Sequence, residues 1–425
     1  MNSRKLALQI LGEILEGKYS NIALREALKH SELDQRDRGF VTEIVNGTVR
    51  NMIKIDYIIS QFTKGKRVKR EVKNILRISI YQILFMDKVP VSAAVNEAVK
   101  IVNKSKYKAL KGFVNGVLRN VDRERETIKY PNKNKKEYLS VYYSVPMWLV
   151  DMLYSQYDNA EEIIKNLNNT PKLTIRLNSL KGDLKSVAEI VAKDLEIEDC
   201  GEIDECKIVL KGKNILSLDS FNEGYFTVQG QSSMMVSNIL EPKSGEKIID
   251  MCSAPGGKTT HIAEMMGNNG EIRAFDVHEH KIKLIEDTTK RLGIDIIKAG
   301  VKDGTIFDGN LESYADKILL DVPCSGIGII SKRPDIKLKD GNFDELVEIQ
   351  KKIIENGIKY LKEDGILVYS TCTLNKKEND ENVKWMIDKF GLELVPFEGS
   401  NEGYMTIIPS KENTDGFFIA KLRKI

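Results

Sequence analysis

Residues 250–260 read Asp-Met-Cys-Ser-Ala-Pro-Gly-Gly-Lys-Thr-Thr and lie between a strand pattern and a helix pattern. A glycine turn here lets backbone N–H groups approach a ligand, and the following helix presents its positive N-terminal end to that ligand. Asp276 ends the next predicted strand, where a carboxylate can bind the two ribose hydroxyls of a nucleoside. The stretch favours a nucleoside-binding α/β domain, although a plain tight turn would explain Gly256 and Gly257 taken alone. The first glycine of a phosphate loop is missing, which disfavours ATP.

Strand-like runs alternate with helix-like runs around this stretch. Such alternation predicts a parallel sheet that is covered by helices on both faces. The predicted strands are residues 247–251, 271–277, 295–299, 317–321 and 365–370.

The remaining sequence predicts two further domains, so that the fold class is multidomain. Residues 1–130 repeat helical periodicity and form an all-α domain. Residues 140–230 mix helices with short strands and form a small α+β domain, and residues 231–425 form the α/β Rossmann-like domain. Besides the first helix, the predicted helices of the all-α domain are residues 20–29, 38–63, 71–86, 91–104 and 107–120.

Charge is unevenly distributed along the 425 residues. Residues 1–130 hold 26 Lys and Arg against 14 Asp and Glu, a net charge of +12, whereas the rest of the chain carries −9. This segregation favours a polyanion-binding module joined to a less basic domain, although a lysine-rich composition can also produce it. The basic run 64–70, taken alone, reads as a solvated linker.

The sequence disfavours a membrane protein and a metal-binding protein. The longest apolar runs fall far short of the roughly 20 residues of a spanning helix, and residues 1–15 lack the apolar stretch of a signal peptide, so we expect a cytoplasmic protein. Five cysteines are too sparse for a disulfide framework, and none forms a CxxC pair. His278 and His280 read as solvated side chains. We expect no metal.

Two cysteines follow predicted strands, Cys324 in residues 321–326 (Asp-Val-Pro-Cys-Ser-Gly) and Cys372 in residues 369–373 (Tyr-Ser-Thr-Cys-Thr). Reacting groups collect at the carboxyl edge of an open α/β sheet, so both thiols can converge on one cleft. Either cysteine alone could instead be a buried apolar side chain.

A thiol in such a cleft suits methylation of a cytosine. A thiolate that adds to carbon 6 turns the ring into an enamine, whose carbon 5 can attack the methyl group of S-adenosylmethionine. Asp321 and Lys258 lie at strand ends where they can supply an acid near the ring nitrogen and a cation near the carbonyl oxygen. This chemistry does not rank the two thiols.

Residues 225–425 resemble the RNA (cytosine-5)-methyltransferase family through residues 250–259, 321–326 and 370–372. Residues 1–125 resemble the NusB-like helical RNA-binding domain through Glu-Ala-Val at 97–99 and Phe-Val-Asn-Gly-Val-Leu-Arg at 113–119. The combination resembles family members that act on bacterial 16S rRNA. It implies transfer of a methyl group from S-adenosylmethionine to a cytosine carbon 5, with S-adenosylhomocysteine as the second product.

The resemblance also implies roles for individual residues. Cys372 is the nucleophile, and Cys324 assists release of the methylated product. Asp276 binds the ribose and Asp303 lies near the adenine. Gly230 stands where relatives often carry Asp, which puts the role of that carboxylate in doubt. The full set of cofactor-binding residues is Cys252, Ser253, Ala254, Pro255, Gly256, Gly257, Lys258, Asp276, Asp303 and Asp321.

The expected partner is RNA, with 16S rRNA first among the candidates, and we expect both the helical domain and the small α+β domain of residues 140–230 to bind it. We expect a monomer without an obligate protein partner. Methylation of a tRNA or of another rRNA cytosine would use the same catalytic residues. A non-catalytic NusB-like RNA-binding factor is the alternative from another class, but it leaves Cys324, Cys372 and the glycine loop unexplained.

Overall fold

A computed structural model describes residues 2–169, 172–201, 203–212, 214–410 and 415–425 of the chain. The chain divides into two compact units. Unit 1 comprises Met1–Asn168 and Ile330–Asn342, and unit 2 comprises Asn169–Ile329 and Phe343–Ile425. Within the described ranges, no helix is both long and apolar enough to cross a membrane.

Unit 1 is helical, which confirms the predicted all-α fold of the N-terminal part. Apolar residues of α1 to α3 pack into one core, and those of α4 to α7 pack into a second. The α-helices in its described residues are α1 (Ser3–Leu15), α2 (Ser20–Lys29), α3 (Gln35–Arg50), α4 (Met52–Phe62), α5 (Arg70–Phe85), α6 (Val91–Asn103), α7 (Lys111–Arg123), α8 (Lys136–Tyr142), α9 (Met147–Gln156) and α10 (Ala160–Asn166).

The single helix predicted over residues 38–63 is wrong. The helix breaks at Asn51, which has φ −104° and ψ 15° and ends α3. The Asn51 side chain donates a hydrogen bond to the Gly47 carbonyl oxygen at 3.0 Å. Asparagine competes for backbone groups in this way, and apolar periodicity on both sides of it conceals the break.

The segment Ile330–Asn342 is held in unit 1 by a buried lysine. Lys337 is 5% exposed, and its Nζ donates hydrogen bonds to Arg50 O at 2.9 Å, Ser144 O at 2.8 Å and Asn168 Oδ1 at 2.6 Å. Burial, followed by the Arg50 charge, lowers the pKa of Lys337 well below its usual value. These three acceptors satisfy all the donors of the ammonium group.

Unit 2 begins with a small antiparallel sheet of strand order β2-β3-β1-β4. Apolar residues of this sheet, including Ile175, Leu177 and Phe226, pack against Val187 and Val191. The small α+β fold is thereby confirmed. Its elements are β1 (Thr174–Leu177), α11 (Leu184–Val191), β2 (Glu196–Asp199), β3 (Cys206–Lys211), α12 (Asp219–Asn222) and β4 (Phe226–Val228).

Cys200 and Cys206 form a single pair that the sequence analysis, which expected no disulfide framework, did not predict. They form a disulfide with their Cα atoms 5.6 Å apart. Because β2 and β3 run antiparallel, the chain reverses between the two cysteines and brings them within bonding reach. The number of cysteines in the whole chain does not indicate which of them a local reversal of the chain brings together.

The rest of unit 2 is an eight-stranded sheet, whose main order is β10-β12-β9-β8-β5-β6-β7, with β11 paired to β12. Strands β5 to β9 pair in parallel, and β10 to β12 add antiparallel pairs that the sequence analysis did not predict. The elements are α13 (Gln231–Leu240), β5 (Lys247–Asp250), α14 (Gly257–Met265), β6 (Glu271–Asp276), α15 (Glu279–Leu292), β7 (Ile297–Val301), β8 (Ala315–Asp321), α16 (Asp344–Tyr360), β9 (Leu361–Thr371), α17 (Asp380–Phe390), β10 (Glu393–Leu394), β11 (Tyr404–Ile407) and β12 (Phe417–Arg423).

Both faces of this sheet are buried, as the sequence predicts. Ile249 and Leu320 belong to the core on one face, whereas their chain neighbours Ile248 and Leu319 belong to the core on the other. Successive strand residues point to opposite faces, so two covered faces require continuous apolar runs. The carboxyl ends of the parallel strands consequently share one edge of the sheet.

Candidate active site

The loop from Met251 to Gly256 follows β5 and ends at α14. Gly256 has φ +99°, a left-handed conformation that favours glycine, and a Cβ at this position would lie 3.5 Å from the Ile285 backbone. Ser253 fastens the loop to β6, because its N and its Oγ donate to the Phe275 carbonyl oxygen at 2.8 and 2.9 Å. The loop is therefore held close to the strand that carries Asp276.

A cavity of about 180 Å³ lies against this loop. Seven residues predicted from the sequence line it, namely Cys252, Ser253, Ala254, Pro255, Gly257, Lys258 and Asp321. Five residues without a predicted role also line it, namely Val228, Gln229, Gly230, Ser233 and Asp250. Gly256, Asp276, Asp303, Cys324 and Cys372 are not among the lining residues.

Asp250 is a buried carboxyl group at the end of β5. It accepts hydrogen bonds from Thr259 Oγ1 at 2.7 Å and from Cys252 N at 3.4 Å. Burial, aided by the nearby Asp321 charge, raises the pKa of Asp250 to about 7. The same burial, together with the Asp250 charge, raises the pKa of Cys252 well above its usual value.

Lys258 and Asp321 form an ion pair beside the cavity. Lys258 Nζ lies 2.7 Å from Asp321 Oδ2, and Ser370 Oγ donates to Asp321 Oδ1 at 2.8 Å. The lysine ammonium also lies 5.1 Å from the centre of the Phe417 ring. The structure thus brings together the acid and the cation that the sequence analysis assigned to the base.

Asp276 and Asp303 lie farther along the same edge of the sheet. Asp276 ends β6, is 7% exposed, accepts from His278 N at 3.0 Å and pairs with Lys281 at 3.3 Å. Asp303 follows β7 and caps its own turn by accepting from Thr305 N and Oγ1 at 2.9 and 2.7 Å. Their roles in binding ribose and adenine stay predictions.

The two thiols meet at the ends of neighbouring strands. Residues Asp321 and Ser370 are partners in the parallel pairing of β8 and β9, and the loops after them place Cys324 Sγ 3.2 Å from Cys372 Sγ. The hydrogen bond with Cys372, burial and nearby negative charges raise the pKa of Cys324 well above its usual value. Cys324 therefore keeps its proton at neutral pH.

A buried carboxylate that the sequence analysis missed holds the loops of both thiols. Glu378 is 0% exposed and accepts from Ser325 N at 2.8 Å, Ser325 Oγ at 2.5 Å, Gln350 Nε2 at 3.0 Å and Asn375 Nδ2 at 3.0 Å. Ser325 also hydrogen-bonds Thr373 at 2.6 Å, which joins the residues next to Cys324 and Cys372. Glu378 sits in the charged run 376–381, so nothing in the sequence separates it from surface residues.

A second missed residue, Arg176 on β1, holds the start of α14. Its guanidinium makes a two-pronged ion pair with Glu264 at 2.7 and 2.9 Å and donates to Gly257 O at 2.8 Å and Thr260 Oγ1 at 3.1 Å. It also hydrogen-bonds Gln229, which lines the cavity. Arg176 is 0% exposed. In the sequence it reads as an ordinary strand residue.

The glycine turn and the carboxylates at the ends of the strands are suited to bind S-adenosylmethionine. The loop after β5 and the carboxylates after β6, β7 and β8 stand along one edge, where a nucleoside can lie across strand ends. Among the described residues, no group of three His, Cys, Asp or Glu side chains is arranged to hold a metal ion.

A parallel sheet with an antiparallel strand beside β9, together with this loop, defines the chain as an S-adenosylmethionine-dependent methyltransferase. Three family models match it: NusB family over residues 1–123, Methyltr_RsmF/B-like, ferredoxin-like domain over 145–214, and 16S rRNA methyltransferase RsmB/F over 237–423. The chain is also 37% identical to "Probable ribosomal RNA small subunit methyltransferase B" of Bacillus subtilis (strain 168), with 99% of this chain and 98% of the relative covered. The chain therefore belongs to the 16S rRNA methyltransferase RsmB/F family.

Two further relatives match the chain over nearly its whole length. A protein with the same name from Synechocystis sp. (strain ATCC 27184 / PCC 6803 / Kazusa) is 34% identical to this chain, with 100% of each chain covered. The solved structure titled "Crystal Structure of PH0851" matches with a TM-score of 0.81 and 30% identity, covering 99% of this chain and 97% of that one. The family resemblance, the fold class and the cofactor predicted from the sequence are confirmed.

Proposed function

We propose that the chain transfers a methyl group from S-adenosylmethionine to carbon 5 of a cytosine in 16S rRNA, through a covalent bond between Cys372 and the base. The names of the relatives, which describe methyltransferases of ribosomal small-subunit RNA, support the class of substrate. The net charge of +12 over residues 1–130 supports a polyanion as partner.

The observation that carries this proposal is the contact between the two thiols. Cys324 Sγ and Cys372 Sγ lie 3.2 Å apart, and the raised pKa of Cys324 keeps that thiol protonated. At this distance one sulfur can donate a hydrogen bond to the other, so each thiol lies within reach of a base that is bound to its neighbour. The contact supports a shared cleft for both thiols, and the choice of Cys372 as the nucleophile follows the family resemblance of residues 370–372.

The proposed reaction begins when the Cys372 thiolate forms a bond to carbon 6 of the cytosine. The electrons of the double bond between carbons 5 and 6 then make carbon 5 nucleophilic. Bound S-adenosylmethionine supplies an electrophilic methyl group and leaves as S-adenosylhomocysteine. Loss of the carbon 5 proton to a water molecule and departure of the Cys372 thiolate restore the aromatic base, and Cys324 is near enough to Cys372 to assist this release.

The ion pair of Asp321 and Lys258 at the cavity can stabilise charge on the cytosine base. Asp321 and Lys258 both line the cavity, and the pairing in the free protein holds them there until the base arrives. When it carries a proton, Asp321 can then donate a hydrogen bond to the ring nitrogen, and Lys258 can donate one to the carbonyl oxygen. Both bonds stabilise the charge that moves through the ring.

The experiment compares Cys372→Ala with Cys324→Ala. We expect Cys372→Ala to bind RNA and cofactor but to form no adduct and no 5-methylcytosine. We expect Cys324→Ala to methylate once and then to accumulate a covalent protein–RNA complex that survives denaturing electrophoresis. The matched control is Cys200→Ala/Cys206→Ala, which removes two cysteines outside the site and should methylate without trapping a complex.

The reverse pattern, a trapped complex in Cys372→Ala alone, would transfer the nucleophile to Cys324. Normal turnover in both variants would refute the covalent mechanism. The target base is tested by bisulfite sequencing of rRNA from a deletion strain, with and without the restored gene. A 16S rRNA that keeps all its 5-methylcytosines in the deletion strain would contradict the proposed substrate.

A further inference from the structure

A second cavity lies in unit 1, among α8, α9, α10 and the polar residues that precede α8. Its volume is about 350 Å³, within the range of ligand-binding pockets. The side chains that characterise it are three lysines and three tyrosines, namely Lys133, Lys135, Lys165, Tyr138, Tyr143 and Tyr154. The function proposed above assigns no role to it.

The lining carries a surplus of positive charge. Lys165 forms an ion pair with Glu161 at 2.6 Å, which neutralises one lysine. Lys133 and Lys135 are exposed, and within the part of the chain that the structure describes neither ammonium group lies in an ion pair. Two cations therefore remain available for an anionic ligand.

Two of these tyrosines, Tyr138 and Tyr143, belong to a packed aromatic group. Tyr138 stacks on Tyr142 with ring centres 5.0 Å apart and planes at 17°, and Tyr142 meets the edges of Tyr130 and Tyr143 at 5.2 and 5.1 Å. Lys54 Nζ lies 4.2 Å from the centre of the Tyr142 ring. Rings that are already fixed lose little freedom when a flat ligand stacks on them.

Tyr154 presents the most accessible ring of the cavity. It is 40% exposed, and Lys136 Nζ lies over one of its faces, 4.9 Å from the ring centre, where it also pairs with Asp151 at 2.8 Å. An aromatic face next to ammonium groups suits a ligand with both a flat ring and a negative charge.

We propose that this cavity binds one or two nucleotides of single-stranded RNA, with phosphates at Lys133 and Lys135 and a base stacked on Tyr154. Tyrosine rings and lysines together are the combination that binds unpaired strands. Duplex RNA does not fit, since its bases are stacked on each other and its phosphates alone face outward. The inference rests on the proposed function insofar as RNA is the substrate, but it adds a site away from the reacting cysteines.

The test measures binding of a short fluorescent oligouridine by anisotropy over a series of salt concentrations. The full-length variant Lys133→Ala/Lys135→Ala should lower the affinity on the order of tenfold at about 0.15 M salt and flatten the slope of log K against log salt by about 1.4. Tyr154→Leu should lower the affinity at least about fivefold without a change in that slope.

The matched control is Lys290→Ala/Lys384→Ala, which removes two exposed lysines of unit 2 outside the small α+β domain and should leave affinity and slope unchanged. Circular dichroism of each variant must match that of the wild type. Unchanged binding in both cavity variants would overturn the proposal. A lysine effect without a tyrosine effect would also overturn it, because attraction to phosphate alone needs no stacking site.

Competition by oligoglutamate as strong as that by RNA would likewise refute a nucleotide site, since it would show a general anion-binding surface. Failure of the proposed function is a separate result, because the wild-type protein would then form no 5-methylcytosine at all.

Discussion

Replacement of Arg176 by Met should destabilise unit 2 by about 3–5 kcal/mol, the usual cost of removing one partner from a buried ion pair. Arg176 is fully buried, and the side chain of Glu264 is 2% exposed. The substitution leaves the Glu264 carboxylate without its cation and Gly257 O without a donor. Burial already raises the pKa of Glu264 in the presence of Arg176, so the lone carboxylate should be still harder to ionise.

Urea unfolding of unit 2 can be followed separately, because the chain has two tryptophans, Trp148 in unit 1 and Trp385 in unit 2. In a Trp148→Phe background, the fluorescence of Trp385 reports the free energy of unfolding of unit 2. The matched control is Arg273→Met, which breaks a part-exposed pair with Glu271 and should cost less than about 1 kcal/mol.

The double variant Arg176→Met/Glu264→Met should recover much of the loss, because it leaves no unpaired buried charge. The affinity for S-adenosylmethionine should fall in the single variant, since Gly257 begins the helix that follows the cofactor loop. The reasoning is refuted if Arg176→Met costs no more free energy of unfolding than Arg273→Met.

Three further predictions concern the site. Asp276→Ala should weaken S-adenosylmethionine binding by roughly 2–3 kcal/mol in titration calorimetry, whereas Asp287→Ala on the exposed face of α15 should not; equal affinities would remove Asp276 from the ribose site. Glu378→Gln should slow methyl transfer at least about tenfold with unchanged cofactor affinity, because an amide cannot accept all four hydrogen bonds; a normal rate would show that the thiol loops do not need the carboxylate. Since burial raises the pKa of Asp250 to about 7, its ionisation opposes folding, so the stability of unit 2 should fall by up to roughly 4 kcal/mol between pH 4 and 7 and then level off. That decline should be absent in Asp250→Asn, and an equal decline in both proteins would contradict the assignment.

Local patterns predicted the elements that place the reacting groups. Apolar runs such as Ile248–Ile249 and Leu319–Leu320 report a sheet buried on both faces, and the parallel pairing that follows places Cys324 and Cys372 at one edge. The expected convergence needed no contact information, because parallel strands share their carboxyl edge.

The buried networks could not be predicted from the sequence. Arg176 and Glu264 are 88 residues apart, and Ser325 and Glu378 are 53 apart. Periodicity reports which face of an element is apolar, but it does not report which distant charge a buried charge will meet. The antiparallel strand β12 was missed for a related reason, because its partner β9 lies far away in the chain.

The return of Ile330–Asn342 to unit 1 has a consequence for synthesis of the protein on the ribosome. After residue 168 leaves the exit tunnel, 174 more residues must be made before residue 342 completes the unit. At typical bacterial rates of about 5–20 residues per second, this takes roughly 10–35 s. Throughout that interval the backbone carbonyls of Arg50 and Ser144 lack the ammonium group that binds them in the finished protein. The N-terminal half of the nascent chain is therefore an incomplete folding intermediate, and a fragment cut at residue 168 would keep this defect permanently.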